Sequence, residues 1–316
     1  MNFLLVGAGG YIAPRHIKAI SDTGNTLIIA FDKFARTDTA YNYFPNCYYL
    51  TDLKQLEEST IKQTLQIHPI EWLTICTPND THSDYIRYGL NHNINVICEK
   101  PVTLSPDELT NLEHLEIETG KEAYTILQMR FHEKIVALKH FVDQDSKDKT
   151  YNITLTYIAS RDQKFYDSWK GDLSKSGGIS TDIGIHFFDM LQWIFGPIKQ
   201  NIVHVKEYDC VAGYIECLRA RIRYFLSTNA KYLPLDAIAE NKMTYRMISI
   251  DGRVIDFSNG FESLHTLSYE RILTGHGFRI SEARPSIELT YNIRYATPIG
   301  LHGDYHPFAR KTLSNM

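Results

Sequence analysis

Short, mostly apolar runs alternate with segments whose apolar residues recur at helical spacing through the first part of the chain. Runs of this length, bounded by polar residues or glycine, predict buried strands. We predict strands at Phe3–Val6, Leu27–Phe31, Trp72–Cys76, Asn95–Cys98 and Tyr124–Leu127. Strands that alternate with helices are typical of a parallel sheet covered by helices on both faces. The pattern therefore predicts an α/β domain over residues 1–127.

Helix signals lie between these predicted strands. Pro14 and the Ser105–Pro106 pair are typical of helix starts, and Gly120 is typical of a helix end. A single helix is predicted from Asp52 to about Gln66. The polar, aromatic-rich segment 33–51 is assigned no element.

The second half of the chain has a different pattern, in which apolar and polar residues alternate with a period of two. Such alternation is typical of half-buried antiparallel strands. We predict strands at Asn152–Ile158, Ile202–Lys206, Tyr214–Phe225, Tyr245–Ile250 and Val254–Phe257, and helices at Leu264–Thr274 and Ser281–Ala296. Asp251–Gly252 favours a type I′ hairpin turn between the last two strands. The pattern predicts a second domain over residues 128–316, with a mostly antiparallel sheet and one face available to a helix or another subunit.

Composition narrows the class of protein. The chain has 316 residues, of which 43% are hydrophobic and 22% are charged, and its formal net charge is -4. This length suits two domains of ordinary size. No apolar run approaches the roughly 20 residues that cross a bilayer, and the mild acidity argues against nucleic-acid binding. We therefore expect neither a membrane span nor a nucleic-acid partner.

Two further features predict a cytoplasmic location. The apolar run after Met1 lacks a basic leader and is too short for a signal peptide. The five cysteines are scattered along the chain and form no C-x-x-C pair. We interpret them as reduced thiols, not as disulfides or a zinc site.

A glycine-rich turn follows the first predicted strand. It contains Gly7, Gly9 and Gly10. A turn of this kind lets a pyrophosphate approach the backbone and the N–H groups of the next helix. If Gly7 and Gly9 are the first two positions of the usual motif, Ile12 stands where a third glycine or alanine is expected, whereas counting from Ala8 and Gly10 places Ala13 there. The alternative is a plain tight turn that binds nothing.

Asp32 adds weight to a dinucleotide site. It ends the second predicted strand, where a carboxylate accepts hydrogen bonds from the ribose hydroxyls of adenosine. Its negative charge would repel a 2′-phosphate, so it favours NAD over NADP. The alternative is that Asp32 is a turn residue only.

Two more polar loops follow predicted strands. Thr77–Pro78–Asn79 comes after the third strand and Glu99–Lys100–Pro101 after the fourth. In open parallel sheets, ligands bind beyond the carboxyl ends of the strands, so we expect these loops at the same edge as the glycine turn and Asp32. A lysine held beside a positively charged nicotinamide ring can lose its proton and accept one from a substrate hydroxyl. The alternative is that Lys100 is a solvated surface charge.

A second cluster of polar residues lies in the other half of the chain. Asp182, His186 and Asp189 recur at i, i+4 and i+7, so on a helix they share one face. This cluster suits catalysis, a metal site or a structural helix end. No further ligand set stands out in the sequence, and we assign no metal ion.

Together these motifs resemble those of the Gfo/Idh/MocA oxidoreductase family. The matching segments are the glycine turn, Thr77–Pro78–Asn79 with His82, Glu99–Lys100–Pro101, and Gly178 to Asp189 with Asp182 and His186. The resemblance implies an α/β fold with an N-terminal Rossmann domain and a C-terminal α+β domain that carries an open, mostly antiparallel sheet. It also implies hydride transfer between a sugar or cyclitol carbon and NAD.

The resemblance further implies roles for individual residues. Lys100 and His186 would act in catalysis, and Asp182 would position the substrate or assist proton transfer. The residues implied to bind the cofactor are Gly7, Gly9, Gly10, Tyr11, Ile12, Asp32, Thr77, Pro78, Asn79, His82, Glu99, Lys100 and Pro101. In the family the open sheet commonly packs against a neighbouring subunit, which implies a homo-oligomer, either a tetramer or a dimer.

Within the family, the chain is most similar to members that oxidise C3 of UDP-N-acetylglucosaminuronate. The similar segments are Gly10–His16, Val96–Pro101 and Ser168–Asp172. This similarity implies a UDP-sugar acid as substrate, 2-oxoglutarate as an oxidant that recycles NADH, and a place in bacterial lipopolysaccharide sugar synthesis. The residues implied to bind the substrate are Lys100, Arg161, Trp169, Lys170, Asp182 and His186. Arg219, Arg221 and Arg223, which we predict on one strand face, add positive charge suited to a diphosphate and a uronate.

Two other functions stay open at this point. A family dehydrogenase that acts on a free sugar or inositol would turn over without a nucleotide on its substrate. A non-catalytic NAD-binding regulatory protein would bind the cofactor without turnover, although the joint presence of Lys100, Asp182 and His186 argues against it.

Overall fold

The computed structural model describes residues 1–33, 38–255 and 259–315. Its strands are β1 (Asn2–Val6), β2 (Thr26–Phe31), β3 (Tyr48–Leu50), β4 (Trp72–Ile75), β5 (Asn95–Cys98), β6 (Ala123–Thr125), β7 (Tyr151–Ala159), β8 (Ile198–Lys206), β9 (Cys210–Cys217), β10 (Ala220–Ser227), β11 (Thr244–Ile250) and β12 (Arg253–Ile255). Its helices are α1 (Ala13–Asp22), α2 (Thr39–Tyr43), α3 (Ser59–Ile67), α4 (His82–Asn91), α5 (Pro106–Thr119), α6 (Glu133–Gln144), α7 (Gln163–Asp167), α8 (Leu173–Ser176), α9 (Ile185–Phe195), α10 (Leu235–Ala239), α11 (Leu264–Leu273) and α12 (Arg284–Tyr295). None of these helices combines the length and apolar character needed to cross a bilayer.

The first sheet is parallel, as predicted. Its strand order among the described residues is β3-β2-β1-β4-β5-β6, and every neighbouring pair runs in the same direction. The order reverses between β1 and β4, and such a switch point forms a crevice at the carboxyl ends of the strands. The predicted α/β fold class is confirmed, and the glycine turn lies at this switch point.

Two details of the first half differ from the prediction. The segment to which we assign no element contains α2 and the short edge strand β3. A strand of three residues is too short to produce a recognisable apolar pattern. The helix predicted from Asp52 to Gln66 is interrupted. A 3₁₀ turn spans Leu53–Glu57, Glu58 is extended with ψ 137°, and α3 then begins at Ser59.

Residues 1–131 and 261–284 form one compact unit. In this unit α11 packs on α1, and Tyr269 and Ile272 of α11 are part of the same core as Phe3 and Leu5 of β1. The division that we drew at residue 127 differs from this grouping, because it assigned α11 to the second domain. The contacts join residues as far apart in the sequence as His16 and Tyr269, which a local pattern does not reveal.

Residues 132–260 and 285–316 form the other compact unit. Its sheet has the order β12-β11-β7-β10-β9-β8, in which only the pair β7 and β10 is parallel. The prediction of a mostly antiparallel sheet is therefore confirmed. The predicted hairpin joins β11 to β12, with φ of 49° at Asp251 and 80° at Gly252, as a type I′ turn requires. Phe257, which we placed in the last strand, lies outside the described residues.

The strand predicted over Tyr214–Phe225 is wrong. The chain turns at Leu218 and Arg219, so that β9 and β10 pair as an antiparallel hairpin. Arg219 lies in the turn, where its guanidinium donates to the carbonyl of Val142, and it does not share a strand face with Arg221 and Arg223. No glycine, proline or asparagine marks this turn, so the sequence pattern runs through it without a break.

The two faces of the second sheet differ in character. On one face, the rings of Tyr151 and Tyr224 pack against Phe195 and Phe188 of α9. The opposite face carries polar residues that are exposed or half-buried within this unit, among them Asn152, Thr154, Glu216, Arg221 and Arg223. The first face therefore holds the α9 side of the core. The C-terminal segment covers one end of the opposite face, where Phe225 packs against Phe308, and the other end, with Asn152 and Arg221, is open.

A buried histidine joins the C-terminal segment to this sheet. His306 Nδ1 accepts a hydrogen bond from the Phe308 backbone N–H at 3.0 Å, so Nε2 carries the ring proton and donates to Thr156 Oγ1 at 3.0 Å. Burial, and secondly the charge of Arg223, lower the pKa of His306 to about 3. The folded protein therefore keeps this ring neutral.

We expect the His306 site to lose stability in acid. The unfolded chain protonates the ring near its usual pKa of about 6.5, so this contribution is complete above that pH and falls by about 1.4 kcal/mol per pH unit toward pH 3. In His306→Gln, urea denaturation at several pH values should show a shallower decrease in unfolding free energy with acidification. The exposed His140, changed to Gln, is the control and should keep the wild-type slope. An unaltered slope in His306→Gln would refute the expectation.

Candidate cofactor and substrate sites

The glycine turn is closed against the neighbouring loop. Gly7 has φ 82°, and its N–H and that of Ala8 donate to the Phe31 carbonyl at 2.9 and 3.1 Å. A Cβ on Gly7 would lie 2.6 Å from the carbonyl carbon of Cys76, which is backbone and cannot move aside like a side chain. Only glycine suits this position.

The turn and Asp32 meet, as the sequence predicted. The Gly9 N–H donates to Asp32 Oδ2 at 2.9 Å, although the two residues are 23 positions apart. α1 starts at Ala13, and Ile12 before it supplies no side-chain cap to the first N–H groups. Tyr11, another predicted cofactor residue, is exposed. A glycine-rich turn, a helix start without a side-chain cap and a carboxylate at the next strand end are typical of a dinucleotide site.

The loops after β4 and β5 are tied together by His82. Its ring is buried, with Nδ1 2.6 Å from the Pro101 carbonyl oxygen and Nε2 2.8 Å from the Thr77 carbonyl oxygen. Burial lowers the pKa of His82, even though both carbonyls favour the charged form. Thr77, Pro78 and Asn79 therefore lie beside Glu99, Lys100 and Pro101, as expected from their places after neighbouring strands. That these residues touch a cofactor stays a prediction.

Glu99 has partners that the sequence did not reveal. Its side chain is buried, and Oε1 accepts hydrogen bonds from His16 Nε2 at 2.9 Å and His265 Nε2 at 3.0 Å. Its Oε2 accepts from the backbone N–H of Lys100 at 3.1 Å. In the sequence, His16 stands out only as part of a matching segment, and no pattern marks His265. One signal could have indicated such partners: Glu99 directly follows an apolar strand, and a charged residue that is buried there needs hydrogen-bond donors.

The charges of this cluster follow from its hydrogen bonds. Burial alone would raise the pKa of Glu99, but the bonds from His16 and His265 outweigh burial and hold it well below its ordinary value. Burial lowers the pKa of His16, more than the bond to Glu99 raises it. We therefore assign an ionised Glu99 and a neutral His16 that donates from Nε2.

In the second unit, the predicted polar cluster lies on one continuous helical segment. Asp182 is in a widened, π-helical turn at Ser180–Gly184, which runs directly into α9 with His186 and Asp189. Asp182 and Asp189 are buried, and His186 is half-buried. Such widened turns occur often at functional sites, because they shift a side chain relative to the regular helix.

Lys170 and its neighbours lie near Asp182. Lys170 Nζ is 3.7 Å from Asp182 Oδ1 and 5.4 Å from the centre of the Trp169 ring. The guanidinium of Arg161 lies 5.4 Å from the Phe165 ring, which Lys170 approaches at 5.7 Å. The structure thus brings together four of the predicted substrate residues of this unit, close to the Phe165 ring. They are Arg161, Trp169, Lys170 and Asp182.

A cavity of about 290 Å³ opens beside these residues. Lys170 and Asp182 form part of its wall, together with the rings of Phe165, Tyr166 and Tyr208. All of its lining residues belong to the second unit. Aromatic rings and a paired cation are suited to a ligand that combines a flat ring with negative charge.

Two family models match the chain, one in each compact unit. Residues 1–126 match "GFO_IDH_MocA: Oxidoreductase family, NAD-binding Rossmann fold", and residues 148–225 match "Oxidoreductase family, C-terminal alpha/beta domain". The two matches contain the glycine turn with Glu99–Lys100–Pro101 and the Asp182–His186 segment, respectively.

Solved structures show a likeness over nearly the whole chain. The WlbA (WbpB) dehydrogenase from Thermus thermophilus, in complex with NAD and alpha-ketoglutarate, has a TM-score of 0.91 and 37% identity, and the match covers 98% of this chain and 99% of that one. The same enzyme in complex with NAD and UDP-GlcNAcA has a TM-score of 0.91 and 36% identity, with the same coverage.

Curated relatives are more distant. An inositol 2-dehydrogenase from Rhizobium meliloti is 27% identical over 197 residues, which is 62% of this chain and 55% of the relative. The chain thus matches about half the length of this curated relative.

We expect Gly7→Ala to abolish tight NAD binding. The added Cβ would meet the Cys76 backbone, and φ 82° is strained for alanine by about 1–2 kcal/mol. Titration calorimetry should show at least about tenfold weaker binding of NAD.

Gly24→Ala is the matched control for this change. Gly24 has φ 70°, but its Cβ would meet nothing within 4 Å, and it lies at the other end of α1. It should lower the thermal stability and leave NAD affinity unchanged. Wild-type affinity in Gly7→Ala would show that the turn does not hold the cofactor.

Proposed function

Because the chain belongs to the Gfo/Idh/MocA oxidoreductase family, we propose that it oxidises the C3 hydroxyl of UDP-N-acetylglucosaminuronate to a 3-keto sugar, with NAD as the hydride acceptor. The observation that carries this proposal is the likeness to the Thermus thermophilus dehydrogenase, at 37% identity over 98% of the chain. That enzyme is solved with NAD and with UDP-GlcNAcA.

NAD would be held by the first unit. The turn at Gly7–Gly10 and the start of α1 suit its pyrophosphate, and Asp32 suits the hydroxyls of its adenosine ribose. Bound NAD supplies the chemistry by accepting the hydride. The carboxylate of Asp32 also disfavours the 2′-phosphate of NADP.

The protein's own residues would handle the proton. As the C3–H bond breaks and its electron pair leaves as hydride, the C3 hydroxyl loses its proton and a carbonyl forms. Lys100 or His186 accepts that proton, and Asp182 positions the substrate or assists the transfer. A positioned acid–base group of this kind contributes about 10²- to 10⁴-fold to a rate.

The cavity of the second unit is the proposed site for the nucleotide part of the substrate. The rings of Phe165, Tyr166 and Tyr208 give a flat ring surfaces to stack on. Lys170, with Arg161 and Trp169 close to it, supplies positive charge for the diphosphate. The ion pair of Lys170 with Asp182 places one of the proposed catalytic residues of the second unit at the wall of this pocket.

The NADH formed would be reoxidised in place by 2-oxoglutarate. The support is that the Thermus thermophilus enzyme is solved with alpha-ketoglutarate beside NAD. In this scheme 2-oxoglutarate takes the hydride and a proton and leaves as 2-hydroxyglutarate. One bound cofactor could then serve many turnovers.

The setting of the reaction follows from the substrate. We place the enzyme in the cytoplasm and in the synthesis of sugars for bacterial lipopolysaccharide. We also propose a homo-oligomer, a tetramer or a dimer, in which the open end of the second face of this sheet is covered. The support is that Glu216 and Arg221, which are neighbours on adjacent strands there, are not buried within this chain.

A free polyol is the second candidate substrate. The inositol 2-dehydrogenase from Rhizobium meliloti matches 62% of this chain, and its substrate carries no nucleotide. Activity on inositol without any UDP sugar would favour this candidate.

The first test is the near-ultraviolet absorbance of purified protein with NAD and UDP-N-acetylglucosaminuronate. We expect an NADH band that needs the nucleotide sugar and that disappears when 2-oxoglutarate is added. A band with free inositol instead would favour the second candidate. Cofactor binding without turnover of any sugar would refute both.

Lys100→Ala tests the proton acceptor. We expect kcat to fall by about 10²- to 10⁴-fold while NAD still binds, because the side chain is removed from the proton transfer and not from the glycine turn. Lys54→Ala is the control, since Lys54 is exposed in a 3₁₀ turn after β3. Near-normal turnover in Lys100→Ala would remove Lys100 from the mechanism.

A further inference from the structure

A chain of buried hydrogen bonds runs through the first unit and ends at Glu99. Thr74 Oγ1 lies 2.9 Å from the Tyr269 hydroxyl, which lies 2.9 Å from His16 Nδ1. His16 Nε2 lies 2.9 Å from Glu99 Oε1, and His265 Nε2 lies 3.0 Å from the same oxygen. All five side chains are buried. We call these residues the Glu99 network.

The directions of these bonds are determined by chemistry. Glu99 is ionised and only accepts, so His16 and His265 both donate to it from Nε2. A neutral His16 then has a lone pair on Nδ1, which the Tyr269 hydroxyl donates to. The oxygen of Tyr269 is left to accept from Thr74. The network has one consistent arrangement of protons, and it fixes the tautomer and ring orientation of His16.

The Glu99 network holds the backbone on the N-terminal side of Lys100. Oε2 of Glu99 accepts from the Lys100 N–H at 3.1 Å, so the carboxylate orients that peptide unit directly. The Glu99 N–H also donates to the Ile75 carbonyl at 3.0 Å.

The C-terminal side of Lys100 is held as well. The carbonyl oxygen of Pro101 lies 2.6 Å from Nδ1 of the buried His82. Lys100 itself is half-buried and sits between these two anchored residues. The backbone of Lys100 is therefore held on both sides by hydrogen bonds of its neighbours.

We propose that His16, His265, Tyr269 and Glu99 are positioning residues for Lys100, so that the buried network holds its amine where it accepts the substrate proton. This inference rests on the proposed function, in which Lys100 is a catalytic residue. The network residues do not touch the substrate themselves. A displacement of about 1 Å at a reacting group can cost about 10²-fold in rate, so a network that fixes one peptide matters to turnover.

His265→Leu and His265→Gln test the inference as a pair. Leucine removes the donor to Glu99, whereas glutamine can place an amide N–H near the position of Nε2. We expect kcat to fall about 10- to 100-fold in His265→Leu, with little change in the affinity for NAD, and to recover largely in His265→Gln. Tyr269→Phe keeps the ring in the core and removes only the hydroxyl, for an expected fall of about 2- to 10-fold.

The control is Glu116→Gln. Glu116 is another buried carboxylate of the same unit, and its Oε1 accepts from the Ala123 N–H at 2.6 Å and from Arg279 at 2.7 Å. Among the described residues these bonds of Glu116 do not reach the Glu99 network, so the variant should lower the melting temperature and keep the wild-type kcat. If His265→Leu behaves like Glu116→Gln, the role of the network is structural only and the inference is wrong.

A measurement without turnover separates this inference from the proposed function. Mass spectrometry can follow how fast an amine reagent labels Lys100 at different pH values. This rate reports the accessibility and protonation of the Lys100 amine. We expect this profile to change in His265→Leu and to match the wild type in His265→Gln and Glu116→Gln. An unchanged profile in His265→Leu overturns the inference, whether or not the protein oxidises a sugar. A fully active Lys100→Ala overturns the catalytic role instead.

A separate measurement tests whether a metal ion occupies the cluster of His16, Glu99 and His265. Two histidines and a carboxylate are ligand types that Zn²⁺ accepts, and the ligand atoms of His16, Glu99 and His265 lie within 4.8 Å of one another. We expect purified protein to contain no stoichiometric zinc, because direct hydrogen bonds join these groups. One bound zinc per chain, measured by plasma mass spectrometry, would overturn the network as described.

Discussion

A carboxylate that is buried and ionised has to be surrounded by hydrogen-bond donors, and much of the first unit is arranged around this constraint at Glu99. Its donors come from α1, from α11 and from the peptide that follows it. Thr74 of β4 contributes indirectly, through its hydrogen bond with Tyr269 of α11. Removing one donor would leave this buried charge less well compensated, and one of the three donors is on a helix from late in the chain.

The parts of the candidate cofactor site that the sequence predicted are those set by local chemistry. Glycine is required at position 7 by its φ and by the nearby Cys76 backbone. At Asp32, the sequence alone shows that a carboxylate follows a strand, and the structure brings it to the Gly9 N–H. The loops after β4 and β5 could be placed together because strands of a parallel sheet end at one edge. Each of these predictions needs only a strand, the residues that follow it and a general rule of sheet topology.

The parts that the sequence did not reveal depend on distant contacts or on turns without marker residues. Glu99 and His265 are 166 positions apart, and nothing in either segment points to the other. The break between β9 and β10 falls at Leu218 and Arg219, which a pattern of apolar residues passes over. The spacing of Asp182 and His186 predicted that they are neighbours on one helical segment, but it did not predict the widened, π-helical turn at Asp182.

The membership of α11 in the first unit has a consequence for biosynthesis. A ribosome makes the chain from its N-terminus, and domains generally fold as units while synthesis proceeds. Here residues 132–260 must be made before His265 and Tyr269 exist. A nascent chain that ends near residue 131 holds Glu99 without one of its two histidine donors. The unit that begins first is therefore completed only after the second sheet has been synthesised.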